Sequence, residues 1–179
     1  MTGVQTCALP IYDEELPTLG VSGVSLHRLA RADDLRGSLV SGEVGGHIPF
    51  TPLRFFSVTH VPSKDVRGAH AHRACEQFLT CQAGSVSVVV DDGLVREEVL
   101  LDDPGVGLYL PPMVWGIQYR YTPDAMLLVL ASHPYEPEDY IRDYEDFLAL
   151  VEGLGQENDN FYFLPFSSSF NLFWLKKDP

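Results

Sequence analysis

Residues 85–101 read SVSVVVDDGLVREEVLL. A valine-rich run at 85–90 is followed by Asp91-Asp92-Gly93 and by a second run with alternating apolar residues at 94–101. Asp-Gly tolerates the positive φ that a tight hairpin turn requires, and β-branched valine favours strands. The stretch therefore predicts an antiparallel β-hairpin in which 85–90 pairs with 94–101.

The same alternation of short apolar runs and turn residues continues on both sides of this hairpin. Further strands are predicted at residues 22–29, 53–61, 77–81, 107–110, 115–121 and 125–131. Many short strands at close spacing, separated by Gly and Pro, are typical of a β-sandwich or β-barrel. The sequence thus predicts an all-β domain.

Only one segment, residues 136–151, has a helical pattern. Its apolar stripe follows the spacing i, i+4, i+7, i+8 and i+11, at Tyr140, Tyr144, Phe147, Leu148 and Val151. Acidic residues in its first turn suit the positive end of a helix dipole. We therefore predict one domain at 21–152 that ends in a single helix. Residues 1–20 are interpreted as a non-native or disordered segment, and 153–179 as a C-terminal extension of uncertain origin.

Composition narrows the class of partner. The chain has 179 residues and a formal net charge of −13, which disfavours general binding to nucleic acid or to an anionic membrane. No apolar run reaches the roughly 18 to 20 residues of a membrane span. The three cysteines form no CxxC pair and no disulfide framework, as is usual in a reducing compartment. We expect a cytoplasmic protein.

The candidate chemistry is concentrated in residues 67–72, RGAHAH, and in Glu76-Gln77. His70 and His72 are two residues apart, so on one strand both side chains point to the same face. Two converging imidazoles can bind a metal or act as an acid/base pair. Arg67 adds a fixed positive charge that suits an anionic substrate.

This spacing resembles the first motif of the cupin fold, in which His-x-His, a Glu and a later His hold a metal. His70, His72 and Glu76 match the first three ligands. Residues 111–116 (PPMVWG) match the second motif, but Gly116 occupies the position of the fourth ligand and has no side chain to donate. A bound metal is therefore disfavoured, and Glu76 is then expected to fix a histidine tautomer.

A longer ordered set of motifs resembles the WxcM-like cupins, the sugar 3,4-ketoisomerases, over about residues 24–151. These motifs are DLRGSL (34–39), IPF (48–50), Arg54, RGAHAH (67–72), EQ (76–77), DDG (91–93), GLY (107–109), PMVW (112–115), VLAS (129–132) and YEPEDYIRDY (135–144). The resemblance implies an all-β cupin (RmlC-like) jelly-roll barrel with one C-terminal helix. It also implies a homodimer, usually with N-terminal strands exchanged between subunits.

The resemblance further implies a reaction on dTDP-4-keto-6-deoxyglucose. A base removes the C3 proton, an enediol forms and C4 is reprotonated, so that the ketone moves from C4 to C3 with no metal or other cofactor. The product feeds a pyridoxal-phosphate aminotransferase that makes amino sugars for surface glycans. Carried onto this chain, His72 is the base and His70 is its partner. Arg54, Arg67, Gln77 and Trp115 are expected to bind the substrate.

Two departures from the family pattern bear on stereochemistry. Gly116 stands where relatives often carry His, and residues 55–57 (FFS) stand where relatives often carry tyrosines. Three alternatives stay open: a metal-dependent cupin oxygenase, a 3,5-epimerase and a non-catalytic sugar-nucleotide-binding module. Such an epimerase uses a His–Asp pair and a Tyr acid, a constellation that is not apparent in the order of this sequence.

Overall fold

The computed structural model describes residues 15–62 and 64–159. Within these residues there are twelve strands and one α-helix. The strands are β1 (Ser25–Arg28), β2 (Ala30–Asp34), β3 (Gly37–Ser41), β4 (Arg54–Thr59), β5 (Arg67–His72), β6 (Gln77–Ala83), β7 (Val86–Asp91), β8 (Arg96–Leu101), β9 (Val106–Leu110), β10 (Trp115–Tyr119), β11 (Met126–Ala131) and β12 (Tyr140–Ile141). The helix, α1, spans Tyr144–Asp159.

The strands form two five-stranded antiparallel sheets that face each other across one core. The first sheet has the order β1-β9-β6-β11-β4, and the second has the order β12-β5-β10-β7-β8. Inward side chains of both sheets fill the space between them, among them Leu79, Val88, Leu108 and Leu127, all fully buried. This arrangement confirms the predicted all-β cupin jelly roll with one C-terminal helix.

The hairpin at 85–101 forms as predicted. β7 pairs with β8 in a register that places Asp91 opposite Arg96. Gly93 has a φ of 89°, which a residue without Cβ adopts at little cost. Asp92 Oδ1 accepts hydrogen bonds from the N–H groups of Leu94 and Val95, at 2.9 and 2.8 Å, so the turn is closed by its own side chain.

A second hairpin was not predicted from the sequence. β2 and β3 pair with each other as a separate two-stranded sheet, from Ala30 opposite Ser41 to Asp34 opposite Gly37. Its residues are largely exposed, so polar side chains occupy both faces and no apolar alternation marks it as a strand pair.

The prediction of a helix from residue 136 is wrong at its start. Pro137–Asp139 forms a single 3-10 turn, and Tyr140 and Ile141 then pair with His72 and Ala71 of β5. The helix begins only after Asp143, whose carboxylate accepts hydrogen bonds from the N–H groups of Glu145 and Asp146. The apolar stripe therefore combined Tyr140 of a strand with true helical positions.

Two observations reach past the predicted domain boundaries. Gly20 N–H donates a hydrogen bond to Glu97 Oε1 at 2.9 Å, and Leu19 packs against the core. α1 continues to Asp159, beyond the expected boundary at 152. Residues 1–14 and 160–179, the remainder of the two predicted terminal segments, lie outside the described residues. In the described part of the chain, no helix is long and apolar enough to cross a membrane.

Gly107 of β9 provides a test of this packing. A Cβ at Gly107 would lie 2.1 Å from Cζ of the buried Phe78, whereas a Cβ at Gly153 on the exposed face of α1 meets nothing within 4 Å. We expect Gly107→Ala to lower the free energy of unfolding by about 1–3 kcal/mol or more, because the core must move to accept the methyl group. Gly153→Ala should raise it by up to about 1 kcal/mol.

Chemical denaturation of the two variants measures the difference. Equal stability of Gly107→Ala and the parent protein would contradict the packing of Phe78 over β9.

Candidate active site

The two histidines lie at the end of β5 with both rings on the inner face of the sheet. Their ring centroids are 5.0 Å apart, and the intervening Ala71 faces the opposite side and is fully buried. Just before them, Gly68 and Ala69 have positive φ values of 77° and 52°, and the pairing of β5 with β10 shifts register there. This bulge directs His70 Nδ1–H to Gly68 O at 2.9 Å, so Nε2 remains as the acceptor nitrogen of His70.

His72 is held from both sides. Its Nδ1–H donates to Asp139 Oδ2 at 2.7 Å, and its Nε2 accepts a hydrogen bond from Gln77 Nε2–H at 3.1 Å. The carboxylate accepts only, so the proton of the neutral ring is on Nδ1 and the lone pair is on Nε2. His72 is 5% exposed. The ring is therefore a buried imidazole whose lone pair, on Nε2, has a defined direction and is hydrogen-bonded to Gln77.

Asp139 also fixes the turn that follows β5. Its Oδ1 accepts a hydrogen bond from Ala74 N–H at 2.7 Å, and its main-chain carbonyl accepts one from Arg73 N–H at 2.8 Å. The carboxylate is thus surrounded by N–H donors, which favour its ionised form. Asp139 belongs to the segment 137–141, here called the C-terminal arm, which contains the 3-10 turn and β12. This one residue positions both the ring of His72 and the backbone next to it.

Burial determines the protonation of the site. Desolvation lowers the pKa of His70, and it lowers the pKa of His72 further than the Asp139 hydrogen bond raises it. Burial alone would raise the pKa of Asp139, but hydrogen bonds from His72 and Ala74 outweigh it, and the pKa is lowered. Near pH 7 both imidazoles are therefore neutral and Asp139 is ionised, a state that suits proton transfer.

An aromatic side chain and two arginines complete the site. The Tyr140 ring lies 4.3 Å from the His72 ring and 4.9 Å from the His70 ring, centroid to centroid. Arg142 stacks on the Tyr140 ring at 4.3 Å, and Arg54 Nη2 lies 3.5 Å from the Tyr140 hydroxyl. Arg54 Nε is buried and has no hydrogen-bond partner among the described residues. Two guanidinium groups thus face the histidines across one tyrosine.

Two predicted substrate-binding residues lie elsewhere. Trp115 is 4% exposed and packs against Tyr144 and Phe147 of α1, on the face of the sheet opposite the histidines. Its assignment to substrate binding is corrected to packing. The next residue, Gly116, pairs with His70, and adjacent residues of a strand face opposite sides, so Trp115 faces away from the histidines. Arg67 is exposed at the start of β5, and its charge acts on Tyr121, whose pKa burial nevertheless raises.

The expected role of Glu76 is also corrected. Gln77 points into the barrel, so its neighbour Glu76 points outward, and the Glu76 side chain is hydrogen-bonded to Tyr109. Asp139 has the orienting role that was assigned to Glu76. Gly116 lies where the second motif predicts, opposite His70 in the β10–β5 pairing. A Cβ at Gly116 would lie 3.4 Å from Leu110 Cδ2, which is an ordinary van der Waals contact.

Three site residues were missed because they lie in the segment interpreted as a helix. Asp139, Tyr140 and Arg142 sit in the 3-10 turn and at β12, which bring them beside β5. Pro137 gave no warning of this, because proline is favoured in a first helical turn and therefore agreed with a helix from residue 136. The assembled site has a neutral base, a second imidazole and cationic groups for an anion.

Comparisons with known proteins agree with this geometry. Residues 22–152 match the model of the family described as WxcM-like, C-terminal. The chain belongs to the WxcM-like family. A relative from Aneurinibacillus thermoaerophilus, TDP-4-oxo-6-deoxy-alpha-D-glucose-3,4-oxoisomerase, is 40% identical over 126 residues, which cover 70% of this chain and 91% of that protein.

Two solved structures are similar over the same region. A 3,4-ketoisomerase from Helicobacter canadensis is 35% identical, with a TM-score of 0.70, and covers 73% of this chain and 98% of that one. The second is a His-to-Asn variant of QdtA, a 3,4-ketoisomerase from Thermoanaerobacterium thermosaccharolyticum, in complex with TDP-4-keto-6-deoxyglucose. It is 33% identical, with a TM-score of 0.72, and the match covers 74% of this chain and 96% of that one. The predicted WxcM-like family and its enzyme class, sugar-nucleotide 3,4-ketoisomerase, are confirmed.

The His72–Asp139 pair gives a test of the site by pH. The carboxylate raises the pKa of His72, so Asp139→Asn should lower that pKa further and move the acidic limb of the kcat/KM profile to lower pH. In a reaction that uses His72 as the base, the imidazolium also loses its counter-charge, so we expect kcat to fall roughly 10²-fold or more.

Asp143→Asn is the matched control, because Asp143 caps α1 and an asparagine can cap it equally well. Steady-state rates across pH, together with thermal melting of both variants, make the comparison. An unchanged acidic limb in Asp139→Asn would contradict the coupling of this carboxylate to the base.

Proposed function

We propose that this protein moves the ketone of TDP-4-keto-6-deoxyglucose from C4 to C3. The observation that carries the proposal is the buried His72, held by Asp139 as a neutral base with its lone pair on Nε2. The similarity to a solved ketoisomerase in complex with this sugar nucleotide supports the choice of substrate. The reaction supplies a 3-keto sugar, the kind of substrate that a pyridoxal-phosphate aminotransferase uses to make an amino sugar for surface glycans.

In the proposed first half-reaction, His72 Nε2 takes the proton from C3. The C3–H electron pair forms the C3–C4 double bond, and the former C4 carbonyl oxygen accepts a proton, so that an enediol results. In the second half, the C3 hydroxyl proton leaves as the C3 carbonyl forms, and C4 receives a proton. His70, 5.0 Å away ring to ring, is placed to relay protons between the two oxygens and His72.

Gln77 has a defined part in this scheme. Its amide occupies His72 Nε2 in the structure, so it must leave that nitrogen before the C3–H bond can approach. The same N–H group can then donate to a sugar oxygen. The lone pair of the base is thus covered until substrate replaces the amide, which limits unproductive contact of the base with water.

The anionic part of the substrate is assigned to Arg54 and Arg142. Both guanidinium groups contact Tyr140 next to the histidines, and the unpartnered Arg54 Nε offers a buried donor. Planar guanidinium groups pair well with phosphate oxygens. We propose that they hold the diphosphate, and that the enzyme acts as a cytoplasmic homodimer in nucleotide-sugar biosynthesis.

A 3,5-epimerase is the second candidate, since His72, Asp139 and Tyr140 provide a His–Asp pair with an adjacent tyrosine. Proton NMR in deuterium oxide, with TDP-4-keto-6-deoxyglucose as substrate, separates the two activities. A 3-keto product with deuterium at C4 is the expected result, and the configuration at C4 identifies the product as the galacto or the gluco isomer. Deuterium at C5 without a 3-keto product would instead identify an epimerase.

His72→Asn is the matched variant in the same NMR experiment. We expect conversion to fall about 10²–10⁴-fold or more, because the base is lost, while binding of TDP persists. Near-full conversion by this variant would contradict the assignment of His72. Binding of TDP-sugar by the parent protein without proton exchange at any carbon would favour the binding module.

Arginine substitution tests the site of the diphosphate. Arg142→Ala should weaken TDP binding and raise KM by roughly 10- to 100-fold, the effect of losing a hydrogen bond to a charged group. Arg67→Ala, which removes an equal charge from the exposed start of β5, should change both by much less. Titration calorimetry with TDP measures the affinity of each variant. A larger loss of affinity in Arg67→Ala than in Arg142→Ala would contradict the assignment and indicate that Arg67 binds the diphosphate.

A further inference from the structure

A cysteine lies beside the proposed base, and the reaction does not use it. Cys75 is 2% exposed and lines the pocket together with His72 and Gln77. Its thiol partners among residues 15–62 and 64–159 are distant, Glu76 O at 3.4 Å and Ser132 Oγ at 3.9 Å. The sulfur is therefore buried next to the histidine but weakly held.

Cys75 completes a donor set with two residues already described. One donor atom each of His72, Cys75 and Asp139 lies within 4.8 Å of the others. Bonds from a divalent zinc ion to S, N and O ligands are about 2.0–2.3 Å long, so ligand atoms in a tetrahedral site lie about 3.3–3.6 Å apart. To reach that spacing, the Cys75 thiol must approach the other two donors, and His72 Nδ1 and Asp139 Oδ2, now 2.7 Å apart, must separate slightly.

The chemistry of the set selects the class of cation. A thiolate and an imidazole are ligands of zinc and other thiophilic ions, and not of magnesium or calcium. Thiolate and carboxylate together carry two negative charges, which balance a divalent cation in spite of Arg54 and Arg142 nearby. The usual cupin metal set is incomplete in this chain, because Glu76 points outward and Gly116 has no donor.

We propose that Cys75, His72 and Asp139 bind a thiophilic divalent cation of the zinc and cadmium class, which inhibits the enzyme by occupying its base. Binding at Nδ1 of His72, the nitrogen that faces Asp139, requires that its proton move to Nε2. Rotation of the Gln77 amide then offers Oε1 to the new Nε2–H. The thiol proton is released, and His72 no longer has a lone pair for C3.

The binding test uses cadmium and the full-length protein freed of metal by a chelator. Cysteine ligation gives a sulfur-to-cadmium charge-transfer band in the ultraviolet. Cys7→Ser serves as the parent, because Cys7 lies outside the described residues. Cys75→Ala is compared with Cys81→Ala, which removes the other buried thiol, on β6. We expect a band that saturates at one equivalent in the parent and in Cys81→Ala, and no band in Cys75→Ala.

Inhibition is measured with zinc, and each variant is referred to its own metal-free rate. The zinc concentration that halves the rate should rise at least about 10-fold in Cys75→Ala and stay unchanged in Cys81→Ala. Circular dichroism establishes that each variant is folded. No band in the parent, or an equal band in Cys75→Ala, would overturn the site, and a saturated band with full activity would overturn the inhibition.

The inhibition, though not the binding, rests on the proposed function. The two failures are distinguishable because the cadmium band does not depend on turnover. A Cys75-dependent band in a protein that converts no substrate would support the metal site and overturn the proposed isomerase activity.

Discussion

The site depends on one hydrogen bond, from His72 Nδ1 to the Asp139 carboxylate at 2.7 Å. Without an ionised partner, a buried imidazole has no preferred tautomer and resists protonation even more strongly. The same aspartate accepts N–H groups from the turn at residues 73–75, so the ring and the backbone next to it are fixed together. The C-terminal arm is thus part of the active centre although it adds only two residues to the sheet.

Packing on the outer face of the sheet supports this centre. Ala71 and Trp115 face outward and are covered by Ile141 and by Phe147 of α1. Because side chains alternate along a strand, burying Ala71 on one face fixes His70 and His72 on the other. The helix therefore helps to position β5, and none of its described residues lines the pocket at the two histidines.

The sequence identified the parts of the site that lie on the strands it predicted. The spacing of His70 and His72 gave their common face, and the Asp91-Asp92-Gly93 turn gave the β7–β8 hairpin. Both are local patterns, determined by alternation and by turn chemistry. The hairpin at residues 30–41 was missed because an exposed strand pair with polar faces has no such pattern. Glu76 was misassigned because the sequence does not show which of Glu76 and Gln77 points into the barrel, and in the structure it is Gln77.

Asp139, Tyr140 and Arg142 could not be placed by local pattern, because their role comes from contacts across a long separation in sequence. Tyr140 lies opposite His72, sixty-eight residues earlier in the chain, and only the tertiary fold brings the two together. The periodic spacing of Tyr140 with Tyr144 and Phe147 even favoured the wrong element. Proline is favoured at the first position of a helix, so Pro137 agreed with the predicted start at residue 136. In the structure it opens only the 3-10 turn Pro137–Asp139, and the α-helix begins at Tyr144.

The balance of charge in the site follows from the same architecture. The chain is acidic overall, yet the residues around the two histidines provide two arginines against one ionised aspartate that is already engaged. This local excess of positive charge suits the dianionic diphosphate of the proposed substrate, while net negative charge elsewhere disfavours longer polyanions. In the proposed function, the placement of the arginines, and not their number in the chain, selects a small anionic substrate.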